Sequence, residues 1–172
     1  MDRGLGASAL DEISPLLAGF HRIQLLIVTL WGFSLERISL QTWSTLGNAF
    51  STLVSLSLTS TQDTDMSSVA QVICAFPGLR NLSLSVSIPS TSPEPPSTMF
   101  RLPPLLDTLK LNTSAAAVLD WLLSRPVRPA LRTVRLHLLE DSDLAIAFKF
   151  LTVFSNSLES LWLSTLIDDC TF

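Results

Sequence analysis

The sequence predicts an α/β solenoid, a curved parallel sheet of about six short strands with helices and loops on the convex side. Three observations lead there. A six-residue pattern with leucine-like residues at positions 1, 4 and 6 recurs through the chain. It reads Leu25/Val28/Leu30, Leu53/Leu56/Leu58, Leu79/Leu82/Leu84, Leu106/Leu109/Leu111, Leu131/Val134/Leu136 and Leu158/Leu161/Leu163. The first residues of these motifs return every ~27 positions, a period of the size that marks stacked repeats. The segments between them carry helix-like apolar spacing and turn residues rather than a second strand pattern.

A period of roughly 20–29 residues around an L-x-x-L-x-L core is the leucine-rich-repeat signature. The reading divides the chain into an N-terminal helical flank, residues 1–22, and a repeat domain of about six repeats over residues 23–172. Composition agrees. The chain has 172 residues, 47 % of them hydrophobic and only 15 % charged, which excludes a solvated disordered polymer.

In order along the chain, Leu10 to Phe20 suits a short helix through Leu10, Ile13, Leu16 and Phe20, with Pro15 starting or bending it. Leu26 to Trp31 reads as the first strand, apolar on both faces as a buried parallel strand is. Leu35 to Phe50 is a loosely helical return limb. Val54–Thr59 is the second strand, followed by the clearest helix, Asp63 to Phe76. Asp65 or Ser67 caps that helix, and Val69, Val72, Ile73 and Phe76 form its stripe.

Pro77-Gly78 stops this helix and turns the chain into a third strand, Asn81–Ser85. Residues 88–104 hold Pro89, Pro93, Pro95, Pro96, Pro103 and Pro104, so a loop is expected there. Thr108–Asn112 is the fourth strand, and Ser114 caps a helix over Ala115–Ser124. Thr133–His137 is the fifth strand, a helix runs from Leu144 to Phe154 behind Asp141 or Ser142, and Ser160–Ser164 is the sixth strand.

Alternation along a strand sends motif positions 4 and 6 inward and the residues between them outward onto the concave face. Burying one leucine is worth roughly 1.5–3 kcal/mol, so the stacked motif positions dominate stability. The outward residues form three columns. The first holds Ile27, Ser55, Asn81, Thr108, Thr133 and Ser160. The second holds Thr29, Ser57, Ser83, Lys110, Arg135 and Trp162, and the third Trp31, Thr59, Ser85, Asn112, His137 and Ser164. Arg and Trp are common interface anchors. The partner-binding candidates are therefore Lys110, Asn112, Arg135, His137 and Trp162, on an otherwise hydroxyl-rich face. The bland alternative is a solvated strand surface.

The repeats resemble those of fungal F-box proteins. The residues that carry the likeness are Phe76-Pro77-Gly78-Leu79-Arg80-Asn81-Leu82-Ser83-Leu84 and Leu102-Pro103-Pro104-Leu105-Leu106-Asp107-Thr108-Leu109-Lys110-Leu111, over roughly residues 23–166. The resemblance implies a substrate-holding repeat region, with a separate F-box helix bundle docking on the Skp adaptor of a cullin ubiquitin ligase. Residues 1–22 are too short for that bundle, so a Skp-type adaptor is expected only if an F-box lies outside this chain. One departure concerns the position where many such repeats bury an Asn or Cys. Phe33, Thr61, Ser87, Ser114, Leu139 and Leu166 stand there, and hydroxyls are expected to serve in the middle repeats.

Other classes find little support. A net charge of −4 without a basic stripe argues against nucleic acid. Asp11 and Glu12 interrupt any secretory apolar run, and His21, Arg22 and Gln24 sit inside the stretch from Pro15 to Leu35 that hydropathy alone could take for a membrane span. Cys74 and Cys170 are too few for a disulfide framework, which suits an intracellular compartment, cytoplasmic or nuclear. No metal-ligand spacing, phosphate loop or nucleophile elbow is present, so no catalytic residue, metal or cofactor is expected. The expected function is a protein-interaction module. The competing reading is a structural solenoid that scaffolds regions absent from this chain, and self-association through an uncapped end fits either.

Overall fold

A computed structural model describes residues 5–17, 19–89, 100–113, 115–137 and 141–164. Its elements, in order, are α1 (Leu5–Leu17), β1 (Leu25–Leu30), a 3-10 turn (Leu35–Arg37), α2 (Leu40–Ala49), β2 (Ser55–Asp63), α3 (Met66–Cys74) and β3 (Asn81–Ser87). After these come β4 (Thr108–Leu111), α4 (Ala115–Ser124), β5 (Thr133–His137), α5 (Asp141–Phe154) and β6 (Ser160–Ser164). The strands make one open α/β sheet in the order β1-β2-β3-β4-β5-β6, and every neighbouring pair is parallel.

The helices cover one face of this sheet. Leu56, Leu58, Leu82, Leu84, Leu109, Leu111, Val134 and Leu136 point into that layer and are buried, in one cluster with Trp43, Phe76, Trp121 and Phe150 from the return limbs. The alternate positions of β2, β3 and β4 are only half-buried, as a sheet packed on one side requires. Four strand registers follow the leucine motif: Leu56 lies beside Leu82, Leu82 beside Leu109, Leu109 beside Val134 and Val134 beside Leu161.

The first strand departs from the expected register. Leu26 pairs with Leu56 and Val28 with Leu58, so the motif reads Ile23/Leu26/Val28, two residues earlier than expected. The reason lies in Leu25-Leu26-Ile27-Val28-Thr29-Leu30, which is apolar on both faces and supplies leucine-like residues in either frame. A shift of two keeps each side chain on its face. Leu25, Ile27 and Thr29 therefore head the three columns, and Trp31 falls in the turn beyond β1, well exposed. The last strand departs too: Leu161 and Leu163 point towards the helix layer yet stay 46 % and 45 % exposed.

The flank is longer and earlier than expected, running over Leu5–Leu17 rather than Leu10–Phe20. Pro15 lies inside it and has no N–H for the carbonyl of Asp11, and the Ser14 hydroxyl donates to that carbonyl instead at 3.1 Å. The Asp11 carboxylate accepts hydrogen bonds from Ser39 and from the Thr42 hydroxyl at the start of α2, tying α1 to the first return limb. Thus the stretch from Pro15 to Leu35 is a helix end, a turn and a strand. No described helix is long and apolar enough to cross a membrane.

Side-chain hydroxyls satisfy backbone groups beyond the strands, at the expected position for Thr61 and one residue before it for Ser60 and Thr113. Thr61 accepts from the Gly32 amide at 3.0 Å and donates to the Leu30 carbonyl, Ser60 donates to the Phe33 carbonyl at 3.2 Å, and Thr113 donates to the Val86 carbonyl at 2.7 Å. Ser87 instead donates to the Asp63 carboxylate at 2.6 Å. The expected positions Ser114, Leu139 and Leu166, the cap at Ser114, the capping side chains of Asp141 and Ser142, and most of the proline-rich segment lie outside the residues described.

Asp65 begins α3 as expected. Its carboxylate accepts from the Ser68 amide at 2.7 Å and from the Ser68 hydroxyl at 3.0 Å, and its own amide donates to Glu36 at 2.5 Å. Asp65→Ala removes the cap of a helix whose Val69, Ala70, Val72 and Ile73 are fully buried. It should cost about 1 kcal/mol, the usual value of such a cap, as read from urea unfolding with an unchanged slope.

Candidate partner-binding face

Parallel pairing of strands 25 to 27 residues apart brings four of the five candidate residues together. Lys110, Arg135 and Trp162 are consecutive register partners across β4, β5 and β6. The Arg135 guanidinium lies 5.1 Å from the centre of the Trp162 ring, a cation–π arrangement. The His137 ring meets the same indole edge-on, with centroids 5.3 Å apart, and its Nδ1 lies 2.9 Å from the Ser164 hydroxyl. Beyond its contacts with Arg135 and His137 the indole meets solvent, Trp162 being 53 % exposed.

Asn112 is placed differently. β4 ends at Leu111, and Asn112 follows it half-buried, with its amide bonded to the Leu84 carbonyl at 2.9 Å. It borders the cluster at the strand end and is not gathered into the ring contacts.

A shallow groove of about 210 Å³ runs across the same face from β2 to β5. The side chains of Ser55, Ser57, Asn81, Ser83, Thr108 and Thr133 line it, with Lys110 and Arg135 at one end. None of the eighteen positions in the three columns is acidic. The face therefore offers short hydrogen-bonding groups over most of its width and two cations beside an indole at its C-terminal side. A carboxylate-bearing segment suits such a surface, because guanidinium and ammonium groups bind carboxylates with charge-assisted hydrogen bonds.

Two features were not read from the sequence. Leu25, read as the first leucine of its motif, lies on the open face and is 57 % exposed, because of the register of β1. At the ends of α3 and α4 lies an apolar cleft of about 900 Å³, lined by Cys74, Phe100, Leu102, Arg125, Pro126 and Val127. The turn prolines were the only signal for it. Arg125 is buried there, its guanidinium 5.2 Å from the Trp121 ring. Burial pushes the Cys74 thiol up to about 12, with the Arg125 charge pulling weakly the other way. That thiol stays protonated at neutral pH and is no nucleophile. Among the described residues no group of three or more His, Cys, Asp or Glu could hold a metal ion.

Set beside known proteins, the chain matches no family model, no curated sequence and no solved structure.

Proposed function

We propose that this chain is a leucine-rich-repeat recognition module whose open sheet face takes an acidic segment of a protein partner. One observation carries the reading: Arg135 stacked on an exposed Trp162, flanked by Lys110 and His137, on a face whose three columns hold no carboxylate. An indole already packed by a guanidinium loses little side-chain freedom on binding, which is what an interface anchor needs. The repeat assignment is supported by the leucine motif and by strand partners that recur at the motif spacing. Catalysis has no place in this reading. The setting implied by the likeness to fungal F-box repeats is substrate capture for ubiquitin ligation, with a Skp-type adaptor bound through an F-box outside these residues.

Panning a random peptide display library against the immobilised protein tests the proposal. Recovered peptides should share an Asp- and Glu-rich consensus, and their binding should weaken as salt is raised. The double variant Arg135→Ala/Trp162→Ala should bind them at least about tenfold more weakly, the loss of a single interface anchor being worth that much. Its unfolding midpoint should stay close to that of the parent, since both side chains stand outside the buried cluster. A consensus without acids, or a double variant that binds as the parent does, would sink the reading.

A further inference from the structure

β6 closes the described sheet, pairing with β5 alone among the described residues. Among the described residues its outer edge is bare of the usual protections. Ser160-Leu161-Trp162-Leu163-Ser164 contains no charge and no proline, and its register with β5 runs without a bulge. Three consecutive large apolar side chains, Leu161, Trp162 and Leu163, are 46 %, 53 % and 45 % exposed. The helix that leads into the strand, α5, adds exposed Leu144, Phe148 and Val153.

The backbone polarity of that edge can be assigned. The Ser160 amide donates to the Arg132 carbonyl of the neighbouring chain segment. In a parallel ladder alternate residues turn their polar groups to the same side. Ser160, Trp162 and Ser164 therefore face β5 with their amides and carbonyls, and those of Leu161 and Leu163 point outward.

The strand also reads the same in both directions, Ser-Leu-Trp-Leu-Ser about Trp162. A parallel mate would gain nothing from this symmetry. An antiparallel copy meets itself: Leu161 lies opposite Leu163, Ser160 opposite Ser164, and Trp162 opposite Trp162. The outward-facing leucine backbones then fall at the hydrogen-bonded pairs, two bonds at each, and Trp162 falls at the closely spaced pair between them.

We propose that a second copy of this chain is the partner of this edge, in a dimer whose two-fold axis passes between the β6 strands at Trp162. The four outward leucines form one apolar patch on the helix side, extended by α5 of each copy. On the open side the two Trp162 rings meet, with Arg135 of each copy behind them, so the sheet continues across the axis. A two-fold contact is closed and stops at two chains. A head-to-tail pairing of β6 with β1 would instead grow without limit, and α1, tied to α2 through Asp11, stands at that other end.

Sedimentation equilibrium on the full chain across a concentration series tests the pairing. The expected result is a species of twice 18.8 kDa that dissociates to one of 18.8 kDa on dilution. Leu163→Pro deletes an outward amide without removing a bond to β5, and proline is tolerated at such edge positions. It should weaken the dimer at least about tenfold, since it takes away half of the bonds across the axis. The variant leaves Arg135 and Trp162 in place, so loss of dimer with peptide binding retained separates this proposal from the partner reading.

A second variant decides should Leu163→Pro fail to fold. In a Cys170→Ser background, Trp162→Cys places two thiols at a closely spaced antiparallel pair with Cα atoms about 4.5 Å apart, within disulfide range. Mild oxidation should link it into a dimer, whereas Ser160→Cys, displaced from the axis, should not link. Cys74 does not compete, its thiol being half-buried and protonated. The proposal is overturned by a parent chain of 18.8 kDa at every concentration. Oligomers growing beyond two chains, a folded Leu163→Pro that dimerises like the parent, or equal cross-linking at positions 160 and 162 would overturn it as well.

Discussion

Gly47→Ala should destabilise the fold, although alanine is the better helix residue. Gly47 is buried in α2 where that helix crosses the end of α3. A Cβ built there would lie 2.1 Å from the Ala75 carbonyl oxygen and 3.0 Å from its carbon. The obstacle is backbone and cannot swing aside like a side-chain tip. Overpacking of this kind costs about 1–3 kcal/mol or more, and a backbone clash belongs at the upper end. Helix propensity returns about 1 kcal/mol, too little to offset it. A midpoint lower by roughly 4–8 °C in thermal unfolding is the expected reading. Asn48→Ala, one residue on and exposed, should move the midpoint slightly the other way. Equal behaviour of the two variants would mean that α2 and α3 are not in contact through Gly47.

Leucines in equivalent motif positions should differ widely in worth. Leu84 is fully buried on β3, between two strands and beneath the return limbs. Leu84→Ala should cost about 2–5 kcal/mol, the range for emptying a leucine site in a packed core. Leu161→Ala removes the same atoms from a side chain that is 46 % exposed. It should cost about 1 kcal/mol in urea unfolding, because nearly half of its transfer term is already lost to water and no enclosed cavity is left behind. Both should be measured at concentrations where the chain is monomeric, so that no contact between copies enters. Similar losses at the two positions would mean that β6 is covered as fully as β3.

Much of the architecture was legible because the leucine spacing and the strand period reinforce each other. Leu82, Leu84, Leu109 and Leu111 alternate with Ser, Asn, Thr and Lys, so only one face can be buried, and register follows from that. Thr133–His137 and Ser160–Ser164 were readable to the residue for this reason, and the helix Ala115–Ser124 from the residues that bracket it, Ser114 and Pro126. β1 was not, because an all-apolar run gives alternation nothing to work on.

The candidate site was legible as a set of columns, and Lys110, Arg135 and Trp162 needed only parallel pairing to become neighbours. Their stacking was not legible, since it depends on rotamers that no spacing encodes. Gly47 offered no warning either. A glycine within a helical pattern reads as a weak position until the carbonyl of Ala75 is seen beneath it.

The ordering of the sheet governs how the molecule comes apart. Among the described residues each strand is laid only against its neighbours in chain order, and none bridges to a distant segment. Opening at one end therefore severs a single ladder and leaves the interior intact, so the polypeptide frays inward from its extremities. In the monomer, amide protons of β3 and β4 should outlast those of β6 in exchange with solvent, and the indole at position 162 sits on one of the two end strands that loosen first.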